Sequence, residues 1–138
     1  GSIALRLAVL TGNREVGIVT GHFESFFSDD LDAEARARIA LPEGPRRGHI
    51  AGSSIVRRNL IDRVGPLDET IRGAADIDWY ARATEAGIGI VVLPDIVLLR
   101  RIHGRNLNLT SSDQSIDRLR MVKAALDRRR AAASKPPA

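Results

Sequence analysis

Cysteine is absent from this 138-residue chain, and aromatic residues make up only 4% of it. Without thiols there can be neither a disulfide framework nor a thiolate metal site. Long apolar runs are missing too. Residues 3–10 are apolar apart from Arg6, far short of the roughly 18 residues that a membrane span requires. No basic n-region or cleavage site marks a secretory leader, so a cytoplasmic protein of bacterial type is expected, without a transmembrane segment. The opening Gly1-Ser2, in place of an initiator Met, points to a fragment or a trimmed chain.

What is present is an ordinary globular balance, 43% hydrophobic and 28% charged, enough for one domain with a modest core. The net charge of +4 is unevenly placed. Residues 1–112 carry 14 arginines against 14 acids, whereas residues 113–138 carry seven basic residues against three. The basic tail allows a peripheral position at a membrane surface or on a polyanion. It does not suit a nucleic-acid partner, because all five aromatics (Phe23, Phe26, Phe27, Trp79, Tyr80) lie outside it.

Periodicity predicts alternating helices and strands, hence an α/β fold with a mixed sheet flanked by helices. Residues 3–10 read as a buried helix closing on a left-handed cap at Gly12-Asn13, or as a strand. Residues 16–20 read as an inner strand continued by an extended edge over 21–27. A short surface helix is expected in 28–39, a loop over 41–48, an extended segment over 49–56 and helical turns over 57–64. Residues 77–86 read as a helix with Ile77, Tyr80, Ala81 and Thr84 on one face, stopped by Gly87. Two strands, 88–93 and 96–99, are separated by a Pro94-Asp95 turn signal. The last helix is expected over 112–130, with a capping box at Ser111 and Gln114 and an apolar stripe of Ile116, Leu119, Val122 and Leu126.

The most informative string is Gly73-Ala-Ala-Asp76-Ile-Asp78-Trp79-Tyr80. Two carboxylates and two aromatics gather where a helix begins. With the helix starting near Ile77, Asp76 belongs to the preceding loop and can face a cleft as a proton acceptor. The same position also suits an N-cap. Asp78 falls in the first turn, where the helix dipole favours a carboxylate. Trp79 can stack on a sugar face or anchor the helix to the sheet; Tyr80 can hydrogen-bond sugar hydroxyls, but its place on the apolar side favours an anchor. Arg101 and His103 end a predicted strand on the same side, a place from which a diphosphate can be addressed. A neutral imidazole can also ligate a metal. His22 and His49 have no evident partners and read as structural.

With Ala51-Gly-Ser-Ser-Ile-Val-Arg57-Arg58 and Val64-Gly-Pro-Leu-Asp68-Glu69 before this string, and Arg101-Ile-His103-Gly-Arg105-Asn106 after it, the chain resembles the acceptor-side half of a family 2 glycosyltransferase. The resemblance implies a partial GT-A fold, a Rossmann-like nucleotide-diphospho-sugar transferase architecture. Residues 1–111 would be the acceptor-side half, 112–131 a basic amphipathic helix and 132–138 a disordered tail. It further implies transfer of a sugar from a nucleotide-sugar donor to a carbohydrate or other hydroxyl acceptor, with inversion. Asp76 would be the catalytic base. Trp79, Asp78 and Arg57 would bind acceptor, although Asp78 also reads as structural and Arg57 as a solvated helix start; Arg101, His103 and Arg105 would bind the diphosphate, and His103 its metal, Mg2+ or Mn2+. Ala75 stands where relatives carry a first acid. The donor-side half with its Asp-x-Asp metal motif is not found; Asp30-Leu-Asp32 has the letters but lies in an acidic surface stretch. A separate amino-terminal half or a homodimer partner is therefore expected. The other class of function is a noncatalytic binding or assembly module that keeps the scaffold and pairs through an exposed sheet edge.

Overall fold

The computed structural model describes residues 1–48, 50–71, 74–106 and 114–134. It is an α/β fold around a small mixed sheet in the order β2-β1-β3. The central strand β1, Val16–Phe27, pairs antiparallel with the two-residue β2, Ile55–Val56, and parallel with β3, Gly89–Ile102. Helix α1, Ser2–Gly12, precedes β1, and the short α2, Ala33–Ala37, follows it. Helices α3, Asn59–Val64, and α4, Ala75–Glu85, lie between β2 and β3, and α5 spans Gln114–Ala133. A parallel β1–β3 pair requires a crossover, which α4 supplies.

Each face of β1 carries its own cluster. Ile18 meets Leu60 of α3, Trp79, Tyr80 and Ala83 of α4, and Ile88. Val16 and Val19 meet Leu10 of α1. Ile18 and Val19 are fully buried, and burying one such side chain stabilises by about 1.5–3 kcal/mol. The buried Thr20 hydroxyl is satisfied by Ser53 Oγ at 2.8 Å, and Ser53 in turn donates to Ile50 O at 2.8 Å. That chain of bonds fixes the single 3-10 turn Ala51–Ser53 against the sheet.

Several boundaries differ from the sequence expectation. Asn13 closes α1 in extended geometry (φ −134°, ψ 110°), not as a left-handed cap, because the chain passes directly into β1. Segment 49–56 is not uniformly extended, since Ala51–Ser53 coils before β2. Pro94-Asp95 does not separate two strands. It is a bulge inside β3, where pairing jumps from Gly21–Leu93 to His22–Ile96. Gly21 permits it: a Cβ there would lie 2.8 Å from Asp95 O. His22 joins the bulge through Nδ1, 2.8 Å from Pro94 O. Helix α4 begins before Ile77 and ends as expected, with Gly87 at φ 70°.

The outer helices show the largest departures. The stripe of α5 is in water, with Ile116, Leu119, Val122 and Leu126 between 45% and 69% exposed. Its buried side carries Asp117, and Arg128 reaches Asp78 and Glu85 of α4. The helix continues to Ala133, so residues 132–133 are not a disordered tail. Ser111 of the proposed capping box and His49 lie outside the described residues. In α1 the polarity is inverted: Arg6 is buried against Ser2 O (3.0 Å), while Ile3, Leu5 and Leu7 are exposed. Among the described residues no helix is long and apolar enough to cross a membrane.

Candidate functional site

Helix α4 runs back toward the start of β3, and its first turn carries Asp76. A cavity of 520 Å³ lies beside that first turn, walled by β2, the 3-10 turn, α3 and the Val64-Gly65-Pro66 turn. Asp76, Tyr80 and Trp79 reach it from α4, Ser54 and Val56 from the β2 side, and Leu67 from the turn.

Asp76 is half-buried and occupies the second position of α4, with Ala74 at the cap. It is thus neither the loop residue nor the N-cap that spacing predicts. Ala74 has no side chain able to cap, and Asp76 takes over part of that duty from inside the helix. Its Oδ1 accepts from Ile77 N at 2.9 Å, and Oδ2 accepts from Ala51 N at 3.4 Å. The second bond joins α4 to the 3-10 turn across the cavity.

Trp79 is 8% exposed and belongs to the core. Its ring meets Tyr80 edge to face at 5.8 Å, and Nε1 donates to Gly65 O at 2.8 Å. The indole therefore anchors the helix and also forms cavity wall. Gly65 takes a left-handed φ of 86°, which exposes three successive carbonyls to α4. Arg82 Nη1 donates to Val64 O at 2.7 Å and Nη2 to Pro66 O at 2.8 Å, on either side of the Trp79 bond.

Two expected acceptor contacts are placed elsewhere. Asp78 is 2% exposed and does not line the cavity. It bonds Arg82 Nε at 2.8 Å and Arg128 Nη1 at 3.2 Å, because at this helical position it faces α5. Arg57 is spent on backbone: it donates to Val16 O and Asn13 O, both at 2.9 Å, and to Leu10 O. These carbonyls lie where α1 gives way to β1, so Arg57 staples that junction. Periodicity could not reveal this partner, since the carbonyls come from 41 to 47 residues away.

Arg101, His103 and Arg105 lie at the end of β3, outside the cavity. Arg101 lines a second depression with Phe26, Phe27, Ser28, Asp29 and Asp30. The Asp30 carboxyl is held below its ordinary value by a bond from Ser28, with smaller help from its own backbone, Arg101 and His103. His103 Nδ1 accepts from Arg105 N at 3.2 Å. Asn106 closes the turn by accepting from His103 N and donating to Arg101 O at 3.3 Å. Among the described residues no group of three or more His, Asp or Glu side chains is placed to hold a metal.

Tyr80, which the sequence favours as an anchor, is core and cavity wall at once. Burial pushes its phenol above the ordinary tyrosine value; its hydrogen bond with Ser54 pulls the other way, and the Asp76 charge raises it further. The stabilisation linked to this group is therefore intact below about pH 10, the unfolded value, and is lost as pH rises through the folded value. Tyr80 is the only tyrosine, so an ultraviolet difference titration reads it alone. A midpoint above that of free tyrosine is expected, and an ordinary midpoint would contradict the burial.

Compared with protein-family models, curated protein sequences and solved structures, the chain finds no match.

Proposed function

We propose that the cavity beside α4 is the acceptor site of a GT-A-type glycosyl-transfer domain. The observation that carries it is the Asp76 carboxylate, half-buried beside a 520 Å³ cavity. The order and spacing of the motifs around Asp76 support the same reading. An acceptor hydroxyl in the cavity gives its proton to Asp76 as its oxygen bonds to the anomeric carbon of the donor sugar. The bond from that carbon to the diphosphate breaks on the opposite face, and the electron pair leaves with the nucleoside diphosphate.

Charge on the departing diphosphate calls for cations. Arg101 and Arg105 supply cations at the end of β3, with His103 beside them, but the described residues do not assemble the oxygen ligands that Mg2+ or Mn2+ requires. Donor binding falls to a further donor-binding segment or to a partner copy. The test is transfer from labelled nucleotide sugars by the complete gene product, wild type against Asp76→Asn. Transfer that survives the substitution at near-normal turnover would remove Asp76 as the base.

A second reading, an assembly module without catalysis, draws on β3. That strand has one neighbour along its length and leaves its other edge without a strand partner among the described residues. It would leave the partner affinity of Asp76→Asn unchanged and show no transfer by either protein.

A further inference from the structure

Given the acceptor role proposed for the cavity, on which this inference rests, its walls decide which hydroxyl it takes. Val56, Ile61, Pro66, Leu67 and Trp79 supply apolar surface. Polar side chains are few: Ser54, Glu69, Asp76 and Tyr80. Ser54 and Tyr80 bond to one another, and Glu69 is an exposed residue. Asp76, half-buried, accepts one backbone bond at each oxygen and keeps acceptor sites for an incoming donor.

A sugar brings a hydroxyl on nearly every carbon. Each one enclosed without a partner weakens binding by about tenfold, and this lining cannot answer several at once. An apolar body with one hydroxyl has the opposite needs. It gains from leaving water against Val56, Leu67 and Trp79, and it presents a single donor to Asp76. The volume of 520 Å³ falls within the range usual for small-molecule sites. We infer that the acceptor is an alcohol whose hydroxyl is carried on an apolar body, not a free sugar.

Trp79 is the only tryptophan and forms part of the wall, so its emission reports occupancy of the cavity. Titrations with octan-1-ol, its methyl ether and methyl α-glucopyranoside separate the relevant properties. Octan-1-ol should change the emission saturably. The ether, which has no proton to give, should bind about tenfold more weakly, and the glucoside should have no effect. Asp76→Ala should bring the alcohol and the ether to the same affinity. Leu67→Asp should abolish the alcohol response; Leu67 is 51% exposed, so the substitution does not open the core.

A saturable glucoside response without one from octan-1-ol would overturn the apolar acceptor and leave the transfer reading standing. Equal binding of alcohol and ether by the wild-type chain would overturn the pairing of Asp76 with the hydroxyl, and with it the acceptor role of this cavity. No response to any of the three would overturn the apolar acceptor as well.

Discussion

Asp76→Asn is expected to slow sugar transfer by about 10²–10⁴-fold, the usual contribution of a positioned general base. The effect should fall on kcat more than on KM, because the amide fills the same space and retains one accepting oxygen. That oxygen can keep the bond from Ile77 N, 2.9 Å long in the wild type, while the longer bond from Ala51 N at 3.4 Å contributes less. Loss of the charge from the first turn of α4 removes about 0.3–1 kcal/mol of dipole stabilisation. Thermal unfolding should therefore shift only slightly while the rate collapses. A parallel loss of fold and rate would instead make Asp76 a helix-start residue and nothing more.

The second large effect belongs to its neighbour two residues on. Asp78→Ala is expected to cost about 3–5 kcal/mol of folding stability, as when one partner is removed from a buried ion pair. Asp78 is 2% exposed and bonds both Arg82 and Arg128. Without it, Arg82 keeps its two carbonyl partners but loses its bonded carboxylate, leaving the more distant charge of Asp68. Arg128 keeps Glu85 at 2.8 Å, and its Nη2, already buried without a partner among the described residues, gains none. Chemical denaturation reads the loss, and a change below about 1 kcal/mol, the range of surface pairs, would show that the network is solvated. Glu85→Ala should cost far less, since its side chain is 28% exposed.

These two aspartates also show how far the sequence could be read. Spacing separates their roles, because positions two apart point to opposite sides of a helix. It cannot place the helix start, which falls on Ala74 and Ala75 where no capping side chain exists. The β1 strand and the Gly87 stop are legible because each rests on local chemistry. Pro94-Asp95 misleads for the opposite reason: its outcome depends on Gly21 across the ladder. Arg57 and the stripe of α5 mislead similarly. A guanidinium near the start of a helix looks solvated until distant carbonyls arrive, and an apolar stripe looks buried until the helix docks through ions. The cavity itself is visible in sequence only as Asp76 beside Trp79, since its other walls meet through tertiary packing.

The capture of three consecutive carbonyls, those of Val64, Gly65 and Pro66, by Trp79 and Arg82 has a consequence for molecular recognition. A loop held at each of its peptide groups has already surrendered its conformational freedom during folding. A guest settling against Pro66 and Leu67 would meet a rigid surface and lose little free energy to loop ordering. Shape selectivity would then arise from the guest's own flexibility, favouring stiff molecules over floppy ones of equal size.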